Sequence, residues 1–111
     1  MDLLKAGQVR TGLDFSNAAL IFQHGESEDD YRLAYSLAWT AYSMLEEGTP
    51  KQFAGWLSAA AWDRLMIAKG KKQWYGTQYA RDPVTHKAGE RLPQDEDAVS
   101  REELERFKIK Y

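Results

Sequence analysis

The segment TPKQFAGWLSAAAWDRLMIAKG, residues 49–70, is the clearest helix in the sequence. Thr49 is predicted to cap it, with Pro50 in the first turn, where a missing N–H leaves nothing unpaired, and Gln52 completing a capping box. Gly70 is a typical helix stop. Apolar residues recur at helical spacing along one face, which comprises Phe53, Trp56, Leu57, Ala60, Ala61 and Ala68.

Two further helices are predicted before this segment. The first runs through NAALIFQH, with Asp14 or Ser16 as its cap and Gly25 as its stop. The second begins at SEDD, where Ser27 opens a capping box, and it ends at Gly48. Its apolar positions are Leu33, Ala34, Leu37, Ala38, Ala41, Met44 and Leu45. Because the connections are short, the three helices are expected to pack as antiparallel neighbours.

After Gly70 the pattern changes from helical to strand-like. QWYGTQY predicts a strand, followed by a loop around Asp82–Pro83 and a return toward Arg91–Leu92, which makes a β-hairpin. Ser100 opens a last capping box before the short helix REELERFK. The expected fold is mainly α (α+β), with a three-helix packing unit, one β-hairpin and a short C-terminal helix. It forms a single domain over residues 1–111, with 1–12 as a loose N-terminal arm.

The composition narrows the function classes. The chain has 111 residues, of which 43% are hydrophobic, and this suits one domain with a real core. It has no Cys, which excludes disulfides, thiolate metal sites and Cys nucleophiles. A net charge of −2 gives no general attraction to nucleic acid or to an anionic membrane. No apolar run approaches membrane-span length, so a cytoplasmic protein is expected.

Arg64 is the strongest departure from the local pattern, because a helical wheel places it within the apolar face of residues 49–70. A charge there is unfavourable unless it is paired or faces water. Asp63 points about 100° away and is not the obvious partner. The predicted partners are Asp14, Asp29 and Asp30. A structural tie through the guanidinium and a bidentate anion site are both open.

His24 and the segment after Gly70 supply the other candidate site residues. His24 ends the first helix, where the helix C-terminus favours its protonated form, so it is a candidate acid or anion contact. A helix-end contact without chemistry is the alternative. On the expected strand, one face carries Gln73, Tyr75, Thr77 and Tyr79. Amides and phenols on a half-buried face need partners, which a polar cavity would supply, although an ordinary hairpin covering the helices is equally open.

The second helix carries an aromatic stripe of Tyr31, Tyr35, Trp39 and Tyr42. Such a stripe usually forms core, here beneath the hairpin. If it is exposed, it marks a face for a protein partner or a homodimer.

Two more specific hypotheses, a metal site and single-stranded nucleic-acid binding, have less support. A hard metal could be ligated by His24, Glu26, Asp29 and Asp30, but helix capping already explains the acids, so no metal is expected. Residues 69–81 interleave lysine and arginine with Trp74, Tyr75 and Tyr79, as in proteins that stack on single-stranded nucleic acid. Without an overall basic charge, nucleic-acid binding is not favoured.

Several motifs together resemble a bacterial family of domains of unknown function. They are FQHG with its acidic run, WDRLMIAKGKKQWYGTQY, and the closing AVSREELERF, and the similarity covers about residues 12–109. The resemblance implies a shared site at Gln23, His24, Asp63, Arg64, Gly70, Gln73, Tyr75, Gly76, Thr77 and Gln78. The tail departs from the family, because REELERFKI stands in place of an arginine pair and a GLPPL ending.

The sequence therefore predicts a polar pocket for an anionic or polar metabolite or peptide. The predicted catalytic residues are His24, Tyr75 and Asp63. The predicted ligand-binding residues are Arg64, Gln73, Thr77, Gln78 and Gln23. Arg64 would hold the anion, while His24 or Tyr75 would transfer a proton without a metal or cofactor. Whether the domain is an enzyme or only binds a ligand stays open, and a protein-interaction module is the second hypothesis.

Overall fold

The computed structural model describes residues 12–85 and 87–107. In chain order the elements are α1 (Gly12–Gln23), α2 (Glu28–Met44), α3 (Thr49–Ala68), β1 (Tyr79–Arg81), β2 (Ala88–Arg91) and α4 (Arg101–Arg106). The predicted fold class is confirmed, since three helices pack together and are followed by an antiparallel hairpin and a short helix. No helix in this part of the chain is long and apolar enough to cross a membrane.

Two of the four predicted helix caps, those at Ser27 and Ser100, are confirmed. The Ser27 hydroxyl accepts a hydrogen bond from the Asp30 N–H at 3.1 Å, and that of Ser100 accepts one from Glu103 at 3.2 Å. The predicted Thr49 cap is wrong, because Gly48 is the residue before α3 and Thr49 is already helical. Gly48 has a φ of 144°, a region that favours glycine, and this conformation sets where the helix begins.

The first helix begins earlier than predicted, at Gly12 instead of Asp14 or Ser16. Most of the predicted arm, residues 1–11, lies outside the described residues. A Cβ atom on Gly12 would stand 2.6 Å from Cγ of Leu45, so the helix start packs closely against the end of α2.

The core consists of two clusters on opposite sides of α3. One joins α1, α2 and α3 through Ala18, Ala19, Leu37, Ala38 and Leu57. The other joins α3 to the C-terminal part of the chain through Ala59, Val99, Leu104 and Phe107. Phe53 and Ala68, both predicted to be core, are exposed, because the buried part of α3 runs from Ala54 to Met66.

The aromatic stripe of α2 packs mainly against α3 and Phe107. The Tyr35 ring lies 5.3 Å from that of Trp62, and the Tyr42 ring lies 5.5 Å from Phe107. The strands of the hairpin are exposed along their whole length, whereas Trp74 and Tyr75, which precede them, pack on the same core cluster as Tyr42. Trp39 keeps 42% of its surface exposed.

The hairpin is shorter than predicted. Tyr79 pairs with Arg91 across it, and the loop is closed by the Asp82 carboxylate, which accepts hydrogen bonds from the N–H groups of Val84 and Thr85 at 2.7 and 2.9 Å. The predicted strand before Tyr79 is absent from residues 74–78, because most of the backbone N–H groups there bond to side chains instead of a second strand.

Candidate functional site

Asp63 organises the segment that follows α3, residues 73–78, which we call the Asp63 loop. Its Oδ1 accepts hydrogen bonds from the N–H groups of Trp74 and Tyr75, each at 2.8 Å. Its Oδ2 accepts from the Thr77 N–H at 3.0 Å and from the Thr77 hydroxyl at 2.7 Å. Since the residue is completely buried, the carboxylate serves as the internal anchor of the loop.

The charge state of Asp63 follows from the same contacts. Burial is the larger effect and raises the pKa of the carboxyl, while the hydrogen bonds from Tyr75, Thr77 and Trp74 act to lower it. All four partners donate, so a proton on either oxygen would compete with one of them. The geometry therefore gives Asp63 a structural role, and its catalytic role stays a prediction.

Gln73 is the second internal anchor of the Asp63 loop. Its Nε2 donates to the carbonyl oxygens of Gln78 and Leu92, both at 2.9 Å, and its Oε1 accepts from the Gln78 N–H at 2.9 Å. Like Asp63 it has no exposed surface. Predicted as a ligand-binding residue, Gln73 instead closes the loop and joins it to the chain after β2.

The loop requires glycine at position 76. Gly76 has a φ of 78°, and a Cβ atom there would stand 2.6 Å from Oε1 of Gln94. The Gln94 side chain in turn donates to the Trp74 carbonyl oxygen at 3.2 Å. The YGTQ motif thus has a structural explanation, in which Gly76 makes the turn, Thr77 binds Asp63 and Gln78 binds Gln73.

Tyr75 lies at the edge of the second core cluster, with its ring 6.1 Å from that of Phe107. Burial, with smaller contributions from Glu103, Tyr35 and Asp63, raises the pKa of its phenol to about 12. A phenol with this pKa is neutral near pH 7, so it can donate a hydrogen bond but is a poor base.

Tyr75 is therefore expected to be a late-titrating tyrosine. Its pKa of about 12 in the folded protein exceeds the value of about 10 for an unfolded chain, so folding favours the neutral phenol. This contribution to stability is complete below pH ~10 and is lost as the pH rises through about 12. A titration followed by phenolate absorbance should lose its last phase in Tyr75→Phe and keep it in Tyr79→Phe. An unchanged last phase in Tyr75→Phe would contradict the assignment.

Arg64 lies on another side of α3 and lines a cleft of about 370 Å³, which we call the Arg64 cleft. The cleft is lined by Glu26, Tyr31, Arg64, Ile67, Ala68, Gln78 and Leu92. The Nε atom of Arg64 is buried with no hydrogen-bond partner, and Arg64 forms no ion pair within residues 12–85 and 87–107. The predicted pairing of Arg64 with Asp14, Asp29 or Asp30 is thus not found there, and Asp29 lies 3.2 Å from Arg32.

The burial of the neighbouring charged residues Asp63 and Arg64 differs from the helical-wheel prediction. Asp63 is fully buried, whereas Arg64 is only half-buried. The wheel assumed one apolar face on α3, but this helix is covered on a second side by the Asp63 loop. Since that loop is held by hydrogen bonds and not by apolar side chains, hydrophobic spacing does not reveal it.

The predicted site residues therefore divide into separate places. One place is the Asp63 loop, which contains Gln73, Tyr75 and Thr77 and is anchored by Asp63 of α3. Gln78 connects both places, because its Nε2 donates to the Thr77 hydroxyl at 3.0 Å and it lines the Arg64 cleft. His24 is exposed at the end of α1 and Gln23 is buried there, and neither lines the cleft.

Sequence reasoning did not assign the remaining cleft residues to a pocket. The sequence assigns Tyr31 to the aromatic stripe, Glu26 to a metal hypothesis and Leu92 to the returning strand of the hairpin, and all three line the cleft. The described residues contain no group of three or more His, Asp or Glu side chains placed to hold a metal ion.

A second cleft, of about 420 Å³, lies between the end of β2 and α4. It is bounded by Arg91 and Leu104 and carries charges of both signs, including Glu96 and Asp97. None of the predicted site residues lines it.

The rings of the basic and aromatic run 69–81 are largely used within the fold. The Trp74 ring lies 4.8 Å from that of Trp62, and both Trp74 and Tyr75 pack on the second core cluster. Tyr79 is 42% exposed, and the Arg91 guanidinium lies 5.4 Å from its ring centre. The run therefore offers one exposed ring and not a series of stacking surfaces.

Comparison of the chain with protein-family models, with curated proteins and with solved structures finds no match in any of the three. The resemblance to a bacterial family through the QH, DR and YGTQ motifs thus stays a prediction.

Proposed function

We propose that this protein is a small-ligand-binding domain whose Arg64 cleft takes an anionic group, with a carboxylate as the preferred anion. The observation that carries the proposal is the half-buried guanidinium of Arg64, which has a buried Nε without a partner and no ion pair among the described residues. A half-buried guanidinium without an ion pair among these residues is unfavourable, and an anion bound in the cleft would offset its charge.

The surroundings of Arg64 support a ligand more than a structural tie. The guanidinium faces a cleft of about 370 Å³, which is at the lower end of the size range of small-molecule sites. One wall contains Gln78, whose position is set by the buried hydrogen bonds of Gln73 and Thr77. A rigid wall beside an unpaired cation reduces the ordering that binding requires.

Binding is favoured over acid–base catalysis. Among the predicted catalytic residues, the oxygens of Asp63 are already occupied by four donors. Tyr75 stays neutral with a pKa of about 12, and His24 is exposed outside the cleft. Among the residues that line the cleft, Glu26 and Tyr31 carry groups that could donate or accept a proton.

The proposal is tested by a thermal-shift screen of the monocarboxylates acetate and N-acetyl-L-leucine on wild type, Arg64→Met and Arg32→Met. A ligand at ten times its Kd adds about 1.4 kcal/mol if it binds only the folded state. For a domain of this size this raises Tm by about 5–8 °C. We expect the shift in wild type and in Arg32→Met, whose arginine is exposed and pairs with Asp29, and its loss in Arg64→Met.

The stability of the empty variants separates the two roles of Arg64. If the guanidinium is kept for a ligand, Arg64→Met without ligand should be at least as stable as wild type, because an unsatisfied buried N–H is removed. A loss of more than about 1 kcal/mol, together with no anion response in wild type, would show a structural tie and overturn the proposal.

Protein interaction through the aromatic stripe is the second candidate function. It is supported by the exposure of Trp39, which stacks on Tyr42 at 5.4 Å and keeps 42% of its surface open. We also propose that the protein is cytoplasmic and that it belongs to the bacterial family that its motifs resemble. Nucleic-acid binding is not proposed, because the rings of residues 74–75 pack into the fold.

A further inference from the structure

We infer that the Arg64 cleft selects a zwitterion, namely a small amino carboxylate with an aliphatic side chain, such as an amino acid. This inference rests on the proposed function and names the ligand class for the same cleft. It comes from one juxtaposition: Arg64 and Glu26 both line the cleft, and they do not form an ion pair with each other.

The opposite charges come from different parts of the fold, so their separation is set by helix packing. Arg64 belongs to α3, whereas Glu26 lies in the turn between α1 and α2. That turn is held by a hydrogen bond from the Gly25 N–H to the Phe22 carbonyl oxygen at 3.0 Å and by the Ser27 cap. A Cβ atom on Gly25 would stand 2.4 Å from a carboxylate oxygen of Asp30, so the turn is also closely packed.

Arg64 and Glu26 carry opposite charges and form no ion pair within the described part of the chain, so they match a ligand that carries both complements. A carboxylate on the ligand would bind Arg64, and an ammonium group on the same ligand would lie near Glu26. A simple anion would satisfy Arg64 but would be repelled by Glu26, and a dianion would be repelled more strongly. Glu26 thus acts as the residue that determines specificity, whereas Arg64 supplies the common anion contact.

The remaining walls indicate the size and polarity of the side chain. Ile67, Ala68 and Leu92 give the cleft an aliphatic part, and its volume of about 370 Å³ leaves room for only a small ligand. An aliphatic side chain would remove apolar surface from water on both partners.

The test measures by calorimetry the binding of L-leucine, N-acetyl-L-leucine and acetate to wild type, Arg64→Met, Glu26→Gln and Glu47→Gln. Glu26 and Glu47 are both exposed, and Glu47 does not line the cleft, so it is the matched control. L-Leucine is expected to bind wild type at least tenfold more tightly than N-acetyl-L-leucine, which keeps the carboxylate but has no ammonium group. Glu26→Gln should remove this preference by weakening the binding of L-leucine, while N-acetyl-L-leucine binds at least as tightly as before because the repulsion from Glu26 is gone. Glu47→Gln should leave both affinities unchanged.

The outcomes distinguish the inference from the function on which it rests. If acetate or N-acetyl-L-leucine binds as tightly as L-leucine and Glu26→Gln changes neither, the zwitterion inference is wrong and anion binding stands. If none of the three carboxylates binds wild type, both are wrong. Equal binding by wild type and Arg64→Met would also overturn both.

Discussion

Asp63→Ala is expected to lower the free energy of unfolding by about 3–5 kcal/mol, the largest effect of any single substitution considered for this protein. The change removes a buried carboxylate that accepts four hydrogen bonds. Three backbone N–H groups and one hydroxyl would then be left inside the protein without a partner, and each such group is costly. Urea unfolding at pH 7 measures the loss directly.

A second variant at position 63 tests whether the loss of stability comes from the four hydrogen-bond donors that would lose their acceptor. Asp63→Asn keeps the shape of the side chain but replaces one acceptor by an NH₂ group, which would face the N–H and hydroxyl of Thr77. It is therefore expected to lose most of the stability that Asp63→Ala loses.

The matched control is Asp82→Ala. Asp82 also accepts two backbone N–H groups, but it is exposed, so water replaces the lost acceptor and the change should stay below about 1 kcal/mol. Equal effects at positions 63 and 82 would contradict the anchoring role of Asp63.

Gln73→Glu is expected to lower the free energy of unfolding by about 2–4 kcal/mol at pH 7.5, with a smaller loss near pH 5. The new carboxylate would place an acceptor against the carbonyl oxygens of Gln78 and Leu92, where Nε2 now donates. Its pKa would be raised in the folded protein, since protonation restores one donor. The penalty is therefore present above that raised pKa and declines as the pH falls through it.

The control for Gln73→Glu is Gln52→Glu. Gln52 is exposed in the first turn of α3, where a negative charge is favourable, so this change should be neutral or slightly stabilising at both pH values. If Gln73→Glu is as stable as wild type at pH 7.5, the hydrogen bonds of the Gln73 side chain do not hold the Asp63 loop in place. A ligand-binding role for Gln73 would then be the better explanation.

The different roles of Asp63 and Arg64 show how much of the site could be predicted from the sequence. A polar function near the DR and YGTQ motifs was indicated by charges within an apolar helix and by amides with no evident partner. Hydrophobic spacing could not tell which side of α3 a hydrogen-bonded loop would cover. In the structure Asp63 anchors the Asp63 loop, while Arg64 lines the cleft and is the candidate ligand contact.

The cleft itself could not have been predicted, because its walls come from distant parts of the chain. Glu26 lies between α1 and α2, Arg64 lies in α3, and Leu92 follows β2. Their proximity depends on how the hairpin segment returns past α3, and Gln73 sets that return by bonding to the Leu92 carbonyl oxygen.

By themselves, local signals in the sequence determined the fold class, the caps at Ser27 and Ser100, and the helix stop at Gly70. These features depend on residues within a few positions of one another, so spacing and turn chemistry contain them. Only the tertiary structure decided that residues 74–77 wrap around Asp63 instead of forming a strand, and that Arg64 faces a cleft. Both depend on contacts between segments far apart in sequence, where a buried carboxylate competes with a neighbouring strand for the same backbone N–H groups.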